Sequence, residues 1–357
     1  MVDDAKSVSI AIDAMGGDNG PSEIIAGVAL ALKELTHEDR VLLVGDAAVL
    51  EPLITDEGLA DNERVSVLHS SEIIGMEEKP IQSLRRKKDS SMVRAIESVR
   101  EGRAHALLSC GNTGSLMAGS TLNLRRLEGL ERPALATVIP TAKHYFILID
   151  AGANTNPSPS HIVHNAILGT HYALSTLQTP QPRVGLLSIG TEEGKGTDLI
   201  QHSHELLKSI DSLINYEGLI EGFHVFSDQV EVVLCDGFVG NIVLKVCESL
   251  SCNLGTYLKD ELYKSPVRRI GAFLARGAFR TMRRRLNPES YGGAPLLGLS
   301  STVFKAHGSS NRYAICSAVQ MGLKAVRSYR NKEIVAALAE ANRQIKEKAE
   351  ALSNPPA

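Results

Sequence analysis

Short apolar runs, mostly rich in β-branched residues, recur along the chain, and most end in glycine or another small residue. Val8–Ile12 precedes Asp-Ala-Met-Gly-Gly-Asp, Arg40–Val44 precedes Gly45, and Val65–Leu68 follows. His105–Ser109 leads into Cys-Gly-Asn-Thr-Gly. Leu135–Ile139 stands before Tyr145–Ile149, which leads into Asp-Ala-Gly-Ala-Asn. Val184–Ile189 precedes Gly190, Val230–Leu234 precedes Cys-Asp-Gly, and Thr302–Phe304 precedes Lys-Ala-His-Gly. Continuous apolar runs of this length predict strands buried on both faces. Most are separated by stretches with helical spacing, such as Pro21–Leu35 and Ser91–Glu101. The alternation predicts an α/β fold, a doubly wound, mostly parallel sheet with helices on both faces. Residues 1–332 read as one large domain with a basic helical insertion at about 255–290. Residues 333–357 read as a charged helix, Glu333–Ala351, and a frayed Asn-Pro-Pro-Ala tail.

Composition narrows the function classes. The 357 residues carry 38 Lys+Arg against 41 Asp+Glu, a net charge of −3, which argues against a bulk nucleic-acid binder. Aromatics make up 4% and Trp is absent, so base-stacking platforms and carbohydrate clefts are disfavoured. No apolar run reaches the roughly 18 residues that a membrane-spanning helix needs. The first residues lack the basic and apolar regions of a secretory signal. The 5 cysteines form no CxxC pair, which fits a reduced, cytoplasmic protein without a structural zinc site. No cofactor or metal motif is found.

Every polar glycine motif lies at the carboxyl end of a run, where ligands of parallel sheets bind. Gly111-Asn-Thr-Gly-Ser115 combines close backbone approach with the neutral donors Asn112, Thr113 and Ser115, as an anion or a carbonyl oxygen requires, or it simply caps the helix that follows. Gly190-Thr-Glu-Glu-Gly-Lys-Gly196 has three residues between its first two glycines, not the four of a P-loop, but Lys195 and Gly196 can still present a cation to phosphate. Asn241 and Lys245 share one helical face, and Lys245 stands among Val243, Leu244 and Val246. His307 stands beside Ser309 and Ser310 at a helix start. Arg85-Arg86-Lys87-Lys88 precedes Ser90 and Ser91, which can cap the next helix. From Lys264 to Arg285 eight cations occur without an acid. At 100° per residue Val267, Ile270, Leu274, Ala278 and Met282 share a face opposite Arg269, Arg276, Arg280 and Arg283, whereas Arg268 and Arg285 break the pattern. Such a helix suits an anionic membrane surface or an acidic partner, or packs in a dimer.

Together these motifs resemble the phosphate acyltransferase family of bacterial phospholipid synthesis. Nine stand in the family's order: Asp13-Ala-Met-Gly-Gly-Asp18, Leu84–Met92, Gly111–Gly114, Arg132–Thr137, Asp150-Ala-Gly-Ala-Asn154, Gly194-Lys-Gly196, Asp236–Asn241, Gly292–Gly298 and Lys305–Ser310. Asn156, Pro157 and Ser188 depart from the family's usual residues. The resemblance implies reversible transfer of a long-chain fatty acyl group from acyl carrier protein to inorganic phosphate, giving acyl phosphate for a glycerol 3-phosphate acyltransferase downstream. It also implies a fold like isopropylmalate dehydrogenase and phosphate acetyltransferase, a homodimer, and a cytoplasmic protein held peripherally at the membrane. On that basis Gly111–Ser115, Lys195 and Gly196 bind phosphate and Asn241, Lys245 and His307 serve catalysis. Arg85, Arg86, Lys87, Lys88, Arg269, Arg276 and Arg280 meet acyl carrier protein or membrane. The alternative enzyme is a phosphate acetyl- or butyryltransferase using coenzyme A thioesters.

Overall fold

The computed structural model describes residues 7–286, 293–328 and 330–353, and builds one sheet of 11 strands. In chain order the elements are β1 (Ser9–Asp13), α1 (Gly20–Leu32), β2 (Arg40–Gly45), α2 (Ala47–Asp56), β3 (Val65–His69), α3 (Pro80–Arg86), α4 (Ser91–Arg100), β4 (Ala106–Ser109) and α5 (Thr113–Asn123). Then come β5 (Ala134–Pro140), β6 (Tyr145–Ile149), α6 (Pro159–Thr176), β7 (Arg183–Ser188), α7 (Asp198–Ser209), β8 (Asn215–Glu221) and β9 (Val232–Leu234). The chain continues with α8 (Gly237–Tyr263), α9 (Pro266–Leu274), α10 (Arg276–Leu286), β10 (Ala294–Leu297), β11 (Thr302–Lys305), α11 (Arg312–Ser328) and α12 (Asn331–Ser353).

The strand order is β3-β2-β1-β4-β11-β10-β5-β6-β9-β7-β8. β1 to β4 and β11 are parallel, as are β6 to β9, while β10 and β5 sit between these halves and are antiparallel to their neighbours. The two parallel halves therefore run in opposite directions. Phe304 pairs with Pro295, Leu296 with Leu135, and Ala136 with Ile149, so β11 and β6 end at nearly the same height on the sheet. The carboxyl ends of the two halves abut there.

Strand centres are fully buried, as continuous apolar runs require; Ile10, Leu107, Phe304, Phe146, Ile147 and Leu234 are at 0% exposure. α1 and α11 cross at Gly27, where an added Cβ would stand 2.5 Å from the Ile315 side chain. α8 is 27 residues, about 40 Å long. Pro266 cannot continue it, and Ser265 caps α9 by accepting from the Arg268 N–H at 3.3 Å. The basic stretch is therefore two short helices meeting at Ala275, not the single helix of the wheel, and the phase changes between them. Its described side chains end at Met282, so the places expected for Arg283 and Arg285 lie outside the described residues, as does the Asn-Pro-Pro-Ala tail. Val267, Ile270, Phe273 and Leu274 are exposed, as are Arg269, Arg276 and Arg280.

Candidate active site

Three loops leaving β1, β4 and β11 meet closely, Gly16 against Gly111 and Gly17 against Gly308. Asp13, the last residue of β1, is 1% exposed and accepts from the Ser91 and Ser109 hydroxyls, each at 2.6 Å. Ser109 Oγ in turn accepts from the Gly111 N–H at 3.0 Å, so one buried carboxylate fixes two loops. Burial pushes that carboxyl up, against hydrogen bonds from both serines and the backbone of Met15 and Gly16. Glycine is required at Gly16 because an added Cβ would stand 2.7 Å from Asp13 Oδ2 and 2.8 Å from the Gly111 nitrogen. Gly17 has φ +98, a region that side chains disfavour, and its Cβ would meet the Gly308 carbonyl at 2.9 Å. The third loop is tied in by Asp18 N–H donating to Gly308 O at 2.7 Å and the Asn19 amide donating to Ser309 O at 2.8 Å.

α8 brings the other half of the sheet to this junction. Asp150, after β6, accepts from the backbone N–H groups of Leu135, Gly152, Ala153 and Asn154 and from the Asn154 side chain, at 2.7–3.2 Å. The turn so formed receives the helix: Gly237 N–H donates to Asn154 O at 2.8 Å, and Asp236 caps the Phe238 and Val239 N–H groups at 2.9 Å. Gly240 rests directly on the Asp150 carbonyl, which a Cβ would approach to 1.9 Å. Two turns from its start, α8 presents Lys245, whose Nζ lies 3.1 Å from His307 Nε2 and 2.8 Å from Glu248 Oε2. An ammonium has only donors, and the Ser309 backbone N–H also points at the ring, at Nδ1 from 3.2 Å, so both nitrogens of His307 face donors. Ser309 Oγ also lies 2.7 Å from Nδ1. Burial first, and then the Lys245 charge, hold this histidine below the usual imidazole range.

Behind His307 lies Lys305, at the end of β11 and 9% exposed. Its Nζ donates to the carbonyls of Cys110, at 3.4 Å, and Ala306, and no carboxylate among the described residues is in ion-pair contact with it. Burial, the largest influence, and Lys245 push its pKa down, against the attraction of Asp13 and Asp18. Burial also pushes the Cys110 thiol up to about 12, which leaves it protonated and a poor nucleophile. Among the described residues no group of three or more His, Cys, Asp or Glu side chains gathers where a metal could sit.

The expected residues fall into separate places. Lys245 and His307 touch each other, beside the loop that holds Gly111. Asn112 caps α5 by accepting from Ser115 N–H at 2.9 Å, and its amide donates to Met76 O at 2.5 Å and Glu78 O at 3.3 Å. Ser115 is buried, 3.3 Å from Ser83 Oγ, and Gly114 packs on Pro80, so this stretch offers a ligand Thr113 and backbone N–H groups. Asn241 packs over Gly152 at the start of α8. Lys195 and Gly196 belong to the other half's loop after β7, and Lys195 is exposed. Near that loop an open cavity of about 430 Å³ is lined by Thr155, Asn156, Pro157, Leu199, Asp236 and Phe238. Of the first basic run, Lys87 turns in to Glu78 at 2.5 Å and Ile73 O at 2.6 Å, leaving Arg85, Arg86 and Lys88 exposed.

Lys305, Asp13 and Glu248 are the members of this site that residue patterns did not single out. For the first two a signal existed, since each is a charged residue ending a buried apolar run.

Residues 8–332 match the family model described as "Fatty acid synthesis protein". A phosphate acyltransferase of Nitratidesulfovibrio vulgaris is 43% identical over 332 residues, covering 93% of this chain and 95% of that protein. One from Lawsonia intracellularis is 41% identical over 330 residues, 92% of this chain and 94% of the relative. Among solved structures, a phosphotransacetylase from Streptococcus pyogenes superposes with a TM-score of 0.62 at 14% identity, over 90% of this chain and 94% of that one. That likeness is one of fold.

Proposed function

This chain belongs to the phosphate acyltransferase family, and we propose that it transfers a long-chain fatty acyl group reversibly from acyl carrier protein to inorganic phosphate at the junction of the two sheet halves. The observation that carries this placement is the Lys245–His307 contact, which joins a helix of one half to a strand-end loop of the other. Phosphate is already a nucleophile near neutral pH, so the protein has to bind two anions, align them and stabilise the oxyanion. A phosphate oxygen attacks the thioester carbonyl carbon, the C–S bond breaks, and the proton of hydrogen phosphate passes through His307 Nε2 to the departing thiolate. The neutral ring suits the first half of that transfer once Lys245 turns from Nε2 to the phosphate. Lys245 offsets charge on phosphate and intermediate, Thr113 contributes its hydroxyl and backbone N–H as donors, and Asn241 or nearby amides hold the thioester oxygen. Lys195 and Gly196, in the loop after β7, meet the donor's phosphate-bearing arm.

The surface supports the partners. Arg85, Arg86 and Lys88 offer an acidic carrier protein a cationic face. The outer stripe of α8, Ile242, Val246, Leu250 and Leu254, repeats every four residues and is apolar and exposed, which suits a second copy of the chain. Exposed apolar residues of α9 beside Arg269, Arg276 and Arg280 suit a peripheral anionic membrane, where the product would pass to a glycerol 3-phosphate acyltransferase. Among the described residues no helix is long and apolar enough to cross a membrane.

The test supplies palmitoyl-acyl carrier protein and phosphate and traps acyl phosphate with hydroxylamine. Phosphate-dependent hydroxamate from this donor, and little from palmitoyl-coenzyme A, is expected. Product from coenzyme A alone would make the chain a phosphate acetyl- or butyryltransferase-like enzyme.

A further inference from the structure

The geometry points to Lys305 as the residue that seats phosphate from below, a role that rests on the acyl-transfer reading and adds to it the buried half of the anion site. A lysine 9% exposed at the end of a central strand has lost most of its water. Such a charge persists only where something compensates it. Its ammonium has three donors, and among the described residues only the Cys110 and Ala306 carbonyls accept from it. Among the described residues some half-buried cations have carboxylate partners, Arg327 with Asp39 and Arg183 with Glu231 at 2.6 Å, whereas Arg64 donates to the Leu32 and Thr36 carbonyls. Lys305 has no carboxylate partner among them. Of the acids that attract it, Asp13 is engaged elsewhere, and Asp18 makes no ion-pair contact with it. Asp13 is held by two serine hydroxyls, and Asp18 Oδ2 lies against Gly308.

The missing partner is an anion that meets Lys305 where Gly16, Gly17, Gly111 and Gly308, packed too closely to accept a Cβ, bring the backbone of three loops together. A tetrahedral phosphate reaching Lys305 from the loop side would also come under Lys245, which already influences Lys305 electrostatically. Two lysines, one buried and one exposed, would then hold opposite oxygens of the nucleophile and leave a third directed at the thioester. Exposed Lys245 can move with the donor; Lys305, fixed by its strand, cannot. Lys305 thus sets phosphate affinity, whereas donor affinity depends on other groups.

The experiment uses the full chain with Lys305→Met, which keeps side-chain length, and Lys305→Arg. With inorganic phosphate alone as probe, the parent's melting temperature should rise and that of Lys305→Met should not. In the hydroxylamine assay Lys305→Met should raise the phosphate KM at least 30-fold and leave the acyl-donor KM within twofold, with Lys305→Arg recovering part of the loss. A phosphate KM and a phosphate-induced melting shift retained by a folded Lys305→Met overturn the proposal, as does failure of both variants to fold, which assigns Lys305 to structure. If the parent binds phosphate through Lys305 yet forms no acyl phosphate, the proposal stands and the acyl-transfer reading fails. If the parent forms acyl phosphate and Lys305→Met binds phosphate as the parent does, the reverse holds.

Discussion

At the scale of single residues, charge placement decides the account. Burial first, and then the Lys245 charge, hold the His307 pKa below the ordinary 6.5 and favour the neutral ring. A group that works unprotonated and whose pKa is lowered keeps working as pH falls through 6.5. The acid limb of kcat should therefore lie below pH 6.5, and His307→Asn should remove that limb while slowing turnover about 100-fold. A limb at or above 6.5 would mean that His307 does not act in this state. Stability has its own charged pair. Asp39 is 0% exposed and is bound by Arg327, so Arg327→Met should cost about 3 kcal/mol by stranding a buried carboxylate, readable by urea melts. Lys245 and His307 could each be singled out from local sequence, yet their contact spans 62 positions and no spacing rule reaches that far. Asp13 shows in the sequence as a charge ending an apolar run, but its serine partners, 78 and 96 positions away, do not.

At the scale of elements, the strands were the most legible part, because a strand buried on both faces writes itself as an unbroken apolar run. The nine runs read from the chain all became strands, from β1 to β11. β8 and β10 were missed for identifiable reasons. β8 reads Asn-Tyr-Glu-Gly-Leu-Ile-Glu, an edge strand broken by Gly218 at φ +100, and β10 is four residues containing Pro295. The turn between α8 and α9 follows from Pro266, a signal that a helical wheel ignores. Gly240 carries the sharpest element-level prediction. Gly240→Ala puts a Cβ into the Asp150 carbonyl and must lift the start of α8, so it should lower activity more than tenfold by displacing Lys245. Gly255→Ala, on the same helix with nothing near its Cβ, should leave activity within twofold. Equal effects of the two would refute this docking of α8.

At the scale of the molecule, apolar runs say which strands exist but not which way each points. The opposition of the two halves across β10 and β5, and the abutment of their carboxyl ends, became visible only in the register. The exposed helices α9 and α10 belong to this scale as well. Arg276→Glu with Arg280→Glu should weaken binding to anionic liposomes at least tenfold while activity on a soluble donor stays within twofold; equal liposome binding would remove the membrane role. The claim that the two halves form one catalytic junction is tested most directly by a kinetic cycle of Lys245→Ala, His307→Asn and the double variant, measured as hydroxylamine-trapped acyl phosphate. Each single substitution should lower kcat about 100-fold and the double variant should be little slower than either, because the pair acts as a unit. Single variants at the parent's rate, or losses that multiply in the double variant, would contradict it.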